Sequence, residues 1–131
     1  MFVLFVFAES PYPLVTAAWH GDIAALTALL EGGADIQQRN EMDDTAIHVA
    51  AASGHVEALK LLLSHGADIH SRGQLGWTPL HPACQRGQTE CVEVLINEGA
   101  QVNSTNKTGE TPLHRACTIG KSAYSDMLHP C

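Results

Sequence analysis

Positive charge is scarce in this chain. Seven lysines and arginines stand against fourteen aspartates and glutamates, a formal charge of −7, and the seven are scattered. Affinity for a nucleic-acid backbone comes from clustered Lys and Arg, so no nucleic-acid partner is expected. Long apolar runs are missing too. The most apolar stretch, Met1 to Ala8 (MFVLFVFA), is far shorter than the roughly 20 residues of a membrane span. It has no Lys or Arg and runs at once into Glu9, Ser10 and Pro11, unlike a secretory signal with its basic start and about 15–30 residues. Residues 1–11 therefore read as an apolar segment packing on the first folded unit, with an altered start or the remnant of a longer chain as the alternative.

Motifs for chemistry are also wanting. Eight histidines and four cysteines are present, yet there is no C-x-x-C pair and no compact His/Cys group with zinc-site spacing. No G-x-x-x-x-G-K phosphate loop occurs. Pairs such as His81 with Cys84 recur by position along the chain rather than converging on one pocket with a base and nucleophile. No cofactor is expected, and an enzyme or metal protein is the remote alternative. Asn103-Ser104-Thr105 and Asn106-Lys107-Thr108 match the glycosylation pattern. They read instead as turn residues, where Asn and Thr bond to nearby backbone.

What the chain does have is a period. Gly76-Trp77-Thr78-Pro79-Leu80-His81 is echoed 33 residues downstream by Gly109-Glu110-Thr111-Pro112-Leu113-His114. Upstream by the same interval stands Asp43-Asp44-Thr45-Ala46-Ile47-His48. Two glycine series keep the same interval: Gly21, Gly54, Gly87 and Gly120, and Gly33, Gly66 and Gly99. A fixed interval of this length implies stacked supersecondary units. Apolar content of 45% and charged content of 16% suit a folded domain of ordinary size.

Each unit reads as helix, turn, helix and an extended connection. Thr78 suits a helix N-cap, Pro79 the first helical position, and Leu80 faces inward. His81 has two ring nitrogens with which to tie the turn to backbone. Both glycine series end helices in the left-handed conformation. Runs such as Val56 to Leu63 and Thr89 to Ile96 carry the apolar spacing of amphipathic helices. Helices this short are marginal alone, so their apolar faces need neighbouring units. Cys84 and Cys117 occupy one position in successive units. Stacked helices lie about 8–10 Å apart and a disulfide needs Cα atoms within about 4.4–6.8 Å, so that pair is not bridged. With Cys91 and Cys131 they read as free thiols in a reducing compartment, the cytoplasm or nucleus.

These residues resemble the ankyrin repeats. The family's Thr-Pro-Leu-His-x-Ala-Ala stretch matches Thr78 to Cys84 and Thr111 to Cys117, and more loosely Thr45 to Ala51. Its Gly-Ala-Asp stretch matches Gly33-Ala34-Asp35, Gly66-Ala67-Asp68 and Gly99-Ala100-Gln101. The resemblance covers residues 12–120 and implies an all-α repeat solenoid of stacked helix-turn-helix units joined by β-hairpin loops. The units run about 7–39, 40–72, 73–105 and 106–131. Tyr12-Pro13-Leu14-Val15 replaces the capping stretch in the first unit, as terminal repeats tend to vary. Residues 121–131 lose the pattern after Gly120, which predicts a frayed or truncated last helix.

The resemblance also implies a function, protein–protein interaction by a monomeric, non-enzymatic scaffold. Partners of the family usually meet the hairpin tips and the exposed side of each first helix. Here the tips carry Met42, Asp44, Leu75, Trp77, Lys107 and Glu110. The helices carry Trp19, His20, Ala52, Ser53, Gln85, Arg86, Thr118 and Ile119. Trp19, Trp77 and Arg86 are expected on one concave face, with Trp77 foremost, because Trp and Arg are enriched in interface hot spots. A fragment of a larger adaptor, for example a ubiquitin-ligase substrate-recruiting subunit, is the alternative.

Overall fold

A computed structural model of the chain describes residues 10–112 and residue 114. Six α-helices follow one another among them: α1 (Pro13–His20), α2 (Ile23–Glu31), α3 (Ala46–Ser53), α4 (Val56–Ser64), α5 (Leu80–Gln85) and α6 (Thr89–Asn97). The inner layer is α1, α3 and α5, and the outer layer is α2, α4 and α6. Each helix packs on its partner within the unit and on its counterpart in the next unit. This is the nearest-neighbour arrangement of a solenoid, whose stability is a sum of unit and interface terms. The expectations for residues 1–9 and 121–131, and those for Cys117, Thr118, Ile119 and Cys131, lie outside the described residues.

Small side chains let the layers close. Ala17, Ala50 and Ala83 are wholly buried at the same position of α1, α3 and α5. Helix α3 has six of its eight residues buried, because α1, α4 and α5 surround it. Behind this layer Leu26, Leu59, Leu62, Val92 and Leu95 fill the contact with the outer helices. At about 1.5–3 kcal/mol for each large apolar side chain buried, they supply what helices of six to nine residues lack in isolation.

The helix starts are joined to one another by histidine. The Thr78 N–H donates to His81 Nδ1 at 3.1 Å, and the Thr78 hydroxyl lies 2.9 Å from the same nitrogen. An accepting Nδ1 leaves the proton on Nε2, which donates to the Glu110 carbonyl at 2.9 Å. His48 repeats this between Thr45 and the Trp77 carbonyl, with distances of 3.4, 2.9 and 2.9 Å. One neutral ring thus caps its own helix and grips the loop of the next unit. Thr111 and His114 again bond through Nδ1, at 3.0 Å. The first unit has Tyr12 and Val15 at these places, so the relay begins with the second.

A second ladder runs through arginine. Arg39 Nη1 donates to the Arg72 carbonyl at 2.7 Å, and Arg72 Nη1 donates to the Thr105 carbonyl at 2.7 Å. The two arginines also reach the loops beside them, at the carbonyls of Asp43 and Gly76. At the C-terminal ends of α1 and α3, His55 Nε2 meets the Trp19 carbonyl at 3.0 Å and Gln88 Nε2 the Ala52 carbonyl at 3.0 Å. Those two side chains lie across the glycines ending α1 and α3. A Cβ on Gly21 would come within 2.5 Å of the His55 ring, and one on Gly54 would collide with Gln88. Both glycines also have positive φ, 68° and 77°, so their identity is required twice over.

The connecting loops are hairpin-shaped turns, and no strand ladder forms among the described residues. Each is closed by one backbone pair: Asn40 N–H to Asp44 O, Gly73 N–H to Trp77 O and Asn106 N–H to Glu110 O, at 2.8–3.0 Å. Asn40 and Asn106 add side-chain bonds inside their turns. Pro82 removes a donor in the first turn of α5, and the Thr78 carbonyl takes the His81 N–H instead, at 3.1 Å. At six residues α5 is shorter than the eight of α3.

The relay gives stability a pH dependence. Burial pushes the pKa of His48 below its ordinary 6.5, outweighing the opposite pull of the Trp77 carbonyl. The unfolded chain therefore binds a proton at this position before the folded chain does. Its contribution is complete above about pH 6.5 and declines as the pH falls through that value toward the lower folded pKa. The melting temperature is expected to drop between about pH 7 and pH 5, with a shallower drop in His48→Gln. Equal slopes for the two proteins would remove His48 as the cause.

Candidate functional site

The relay and the loop closures hold two turn tips over the inner helices, and a groove of about 310 Å3 lies between them. Its walls are Met42 and Asp44 from the first loop and Gln74, Leu75 and Trp77 from the second. Trp19 of α1, His48, Val49 and Ala52 of α3, and Pro82, Gln85 and Arg86 at α5 complete the lining. A smaller hollow of about 200 Å3, lined by Val15, Thr16, Trp19, Asn40 and Val49, shares two of these residues.

Apolar exposure is concentrated here. Four large apolar side chains stand out among the described residues: Trp19 at 53%, Met42 at 59%, Leu75 at 55% and Ile23 at 38% exposure. The first three line the groove. A roomier hollow of about 520 Å3 between α4 and α6 is walled largely by Lys60, Glu90, Glu93, Asn97 and Glu98, which is an ordinary solvated face.

Leu75 is held at a cost. Its φ of 59° and ψ of 18° are left-handed, a conformation that disfavours a branched side chain by about 1–3 kcal/mol. The next loop keeps it there, the Lys107 N–H donating to the Leu75 carbonyl at 2.8 Å. Gly76 follows at φ 77°, where a Cβ would stand 3.1 Å from the Lys107 nitrogen. Trp77 divides its roles. Its carbonyl receives both the Gly73 N–H and His48, while its half-buried ring tilts against His81 at 6.0 Å between centroids.

Eight of the fourteen residues expected at a binding surface line this groove: Trp19, Met42, Asp44, Ala52, Leu75, Trp77, Gln85 and Arg86. Trp19, Trp77 and Arg86 are all in its lining. His20 and Ser53 end α1 and α3 outside the lining. Lys107 and Glu110 belong to the next loop, and Thr118 and Ile119 lie outside the described residues. Glu110 braces its own turn, its Oε1 accepting from Asn106 Nδ2 and the Thr108 hydroxyl at 3.2 Å each. His48, read as scaffold, and Val49, Gln74 and Pro82 were not expected in the lining. Only Pro82, an odd residue within a helix, carried a signal.

Asp44, His48 and Arg86 are the ionisable side chains that line the groove. Burial, with Asp43 adding to it, raises the pKa of Asp44 against the pull of His48 and Arg39. Burial pushes the free Cys84 thiol up to about 12 and the Cys91 thiol up to about 11, so neither is a nucleophile at neutral pH. Among the described residues no three His, Cys, Asp or Glu side chains group as a metal site, and no helix is long and apolar enough to cross a membrane.

A family model described as ankyrin repeats (many copies) matches residues 14–63, 47–96 and 83–129. With nearly the whole chain covered, it belongs to the ankyrin-repeat family. Such repeats are generally protein–protein interaction modules and typically non-enzymatic. A search of curated proteins returns no match.

The Ser53 hydroxyl is buried with no hydrogen-bond partner, and a buried orphan is costly. Ser53→Ala is expected to leave stability unchanged or raise it by up to about 1 kcal/mol, read by urea denaturation. A loss of that size would mean the hydroxyl is satisfied in solution.

Proposed function

We propose that this chain is a non-enzymatic, monomeric scaffold that binds a partner protein in the groove between the first two loop tips and the inner helices. The observation that carries this is the convergence of Trp19, Met42 and Leu75, each more than half exposed, on one groove. Scattered apolar residues need no explanation, whereas a contiguous exposed patch marks an interaction surface. The turn tips are fixed by the histidine and arginine bonds, so little ordering remains to oppose association. Cys84 and Cys91, both unbridged, suit a reducing intracellular compartment, cytoplasm or nucleus.

The strain at Leu75 supports the same reading. Glycine fits that backbone better, and the exposed leucine side chain gains little from the fold itself. A contact made only with a partner offsets the cost. Leu75→Gly therefore separates folding from binding, since it relieves strain while removing the apolar contact. Trp77 is a poorer probe, because its ring rests against His81.

The test is affinity for a partner captured by proximity labelling and then purified. Trp19→Ala and Leu75→Gly are each expected to weaken binding about tenfold or more, with melting temperatures unchanged or, for Leu75→Gly, raised. Wild-type affinity in both variants would contradict the proposal.

A further inference from the structure

We infer that the groove's occupant is a mainly apolar peptide segment carrying one basic side chain that pairs with Asp44. This rests on the groove being the binding surface and adds the chemistry of what fills it. Asp44 lines the groove, and among the described residues its carboxylate accepts no hydrogen bond and forms no ion pair. Its neighbour Asp43 takes the contact with Arg39, at 3.6 Å. The Asp44 carboxylate lies close against Gly73, where a Cβ would stand 3.0 Å from Oδ1.

The two charged residues of the lining differ in what they need. Arg86 is exposed, so water already solvates it and it gains little from a partner. Asp44 is half-buried among Met42, Trp77 and His48, and burial disfavours its ionised form. Filling the groove with an uncharged chain would strip away its remaining water. A buried carboxylate left unpaired is costly, so an apolar occupant is tolerated only if it brings a cation to that point. The formal charge of −7 steers cationic partners toward the chain and acidic ones away. Arg86, at the α5 end of the groove, repels a second basic residue there. A single basic side chain flanked by apolar ones is what remains.

The experiment selects a displayed library of random short peptides on the full-length chain, then measures selected peptides against Asp44→Asn and Leu75→Gly. Asp44→Asn is not expected to disturb the loop, because the Asp44 backbone alone makes the turn bonds to Asn40. Selected peptides are expected to pair an apolar core with one Lys or Arg and to bind Asp44→Asn about tenfold more weakly. Replacing the peptide's basic residue by Gln should cost wild type the same factor and cost Asp44→Asn almost nothing. Peptides that lack a basic residue and ignore Asp44→Asn, but are lost with Leu75→Gly, overturn this inference and leave the groove as the binding surface. Peptides indifferent to both variants remove the groove reading as well. Self-association of the wild type in sedimentation, abolished by Leu75→Gly, would assign the groove to a second copy and overturn the peptide.

Discussion

Two carbonyl oxygens, those of Trp77 and Glu110, hold this architecture in register. Each accepts a backbone N–H that closes its own turn and a histidine Nε2–H from the preceding unit. The histidine is useful because its two nitrogens point opposite ways: one completes a helix cap, the other crosses to the next unit. A net worth of about 0.5–1.5 kcal/mol for each bond is modest. The larger effect is geometric, because the turn cannot shift without also uncapping the helix before it. Arg39 and Arg72 reinforce the coupling at neighbouring carbonyls. Where Val15 and Tyr12 stand instead, the Asp44 carbonyl is left with the Asn40 N–H.

The fold was readable because every unit meets the same packing problem and solves it with the same residues. Thr78, Leu80 and His81 recur because each helix needs a cap, a buried side chain and a tie to the next loop. Gly21 and Gly54 recur because a side chain lies across each of them. Arg39 and Arg72 obey the same interval, but an arginine in a loop reads as a solvated charge until its carbonyl partners are seen. His55 and Gln88 were harder still, since the position is shared and the residue type is not.

The groove was only partly legible, for a related reason. Family resemblance pointed to the tips and the inner helices, which found Trp19, Met42, Leu75 and Arg86. It did not distinguish Glu110, committed to Asn106 and Thr108, from Asp44, which has no such bonds. Nor does Gln74-Leu75-Gly76 announce that its leucine is the strained residue, since the adjacent Gly76 alone accounts for a turn. Val49 belongs to the core pattern and is almost wholly buried, yet it borders the groove. Trp77 proved to be both scaffold, through its carbonyl and its contact with His81, and surface, through the face its ring offers the groove.

Scaffold residues and the residues that line the groove are thus interleaved along the same turns. The claim that the loop tips and inner helices make the contact is tested most directly by amide hydrogen exchange with and without a bound partner protein or selected peptide. Added protection is predicted at residues 40–45 and 73–78 and along α3 and α5, with α4 and α6 unchanged. Protection confined to α4 and α6 would contradict the account.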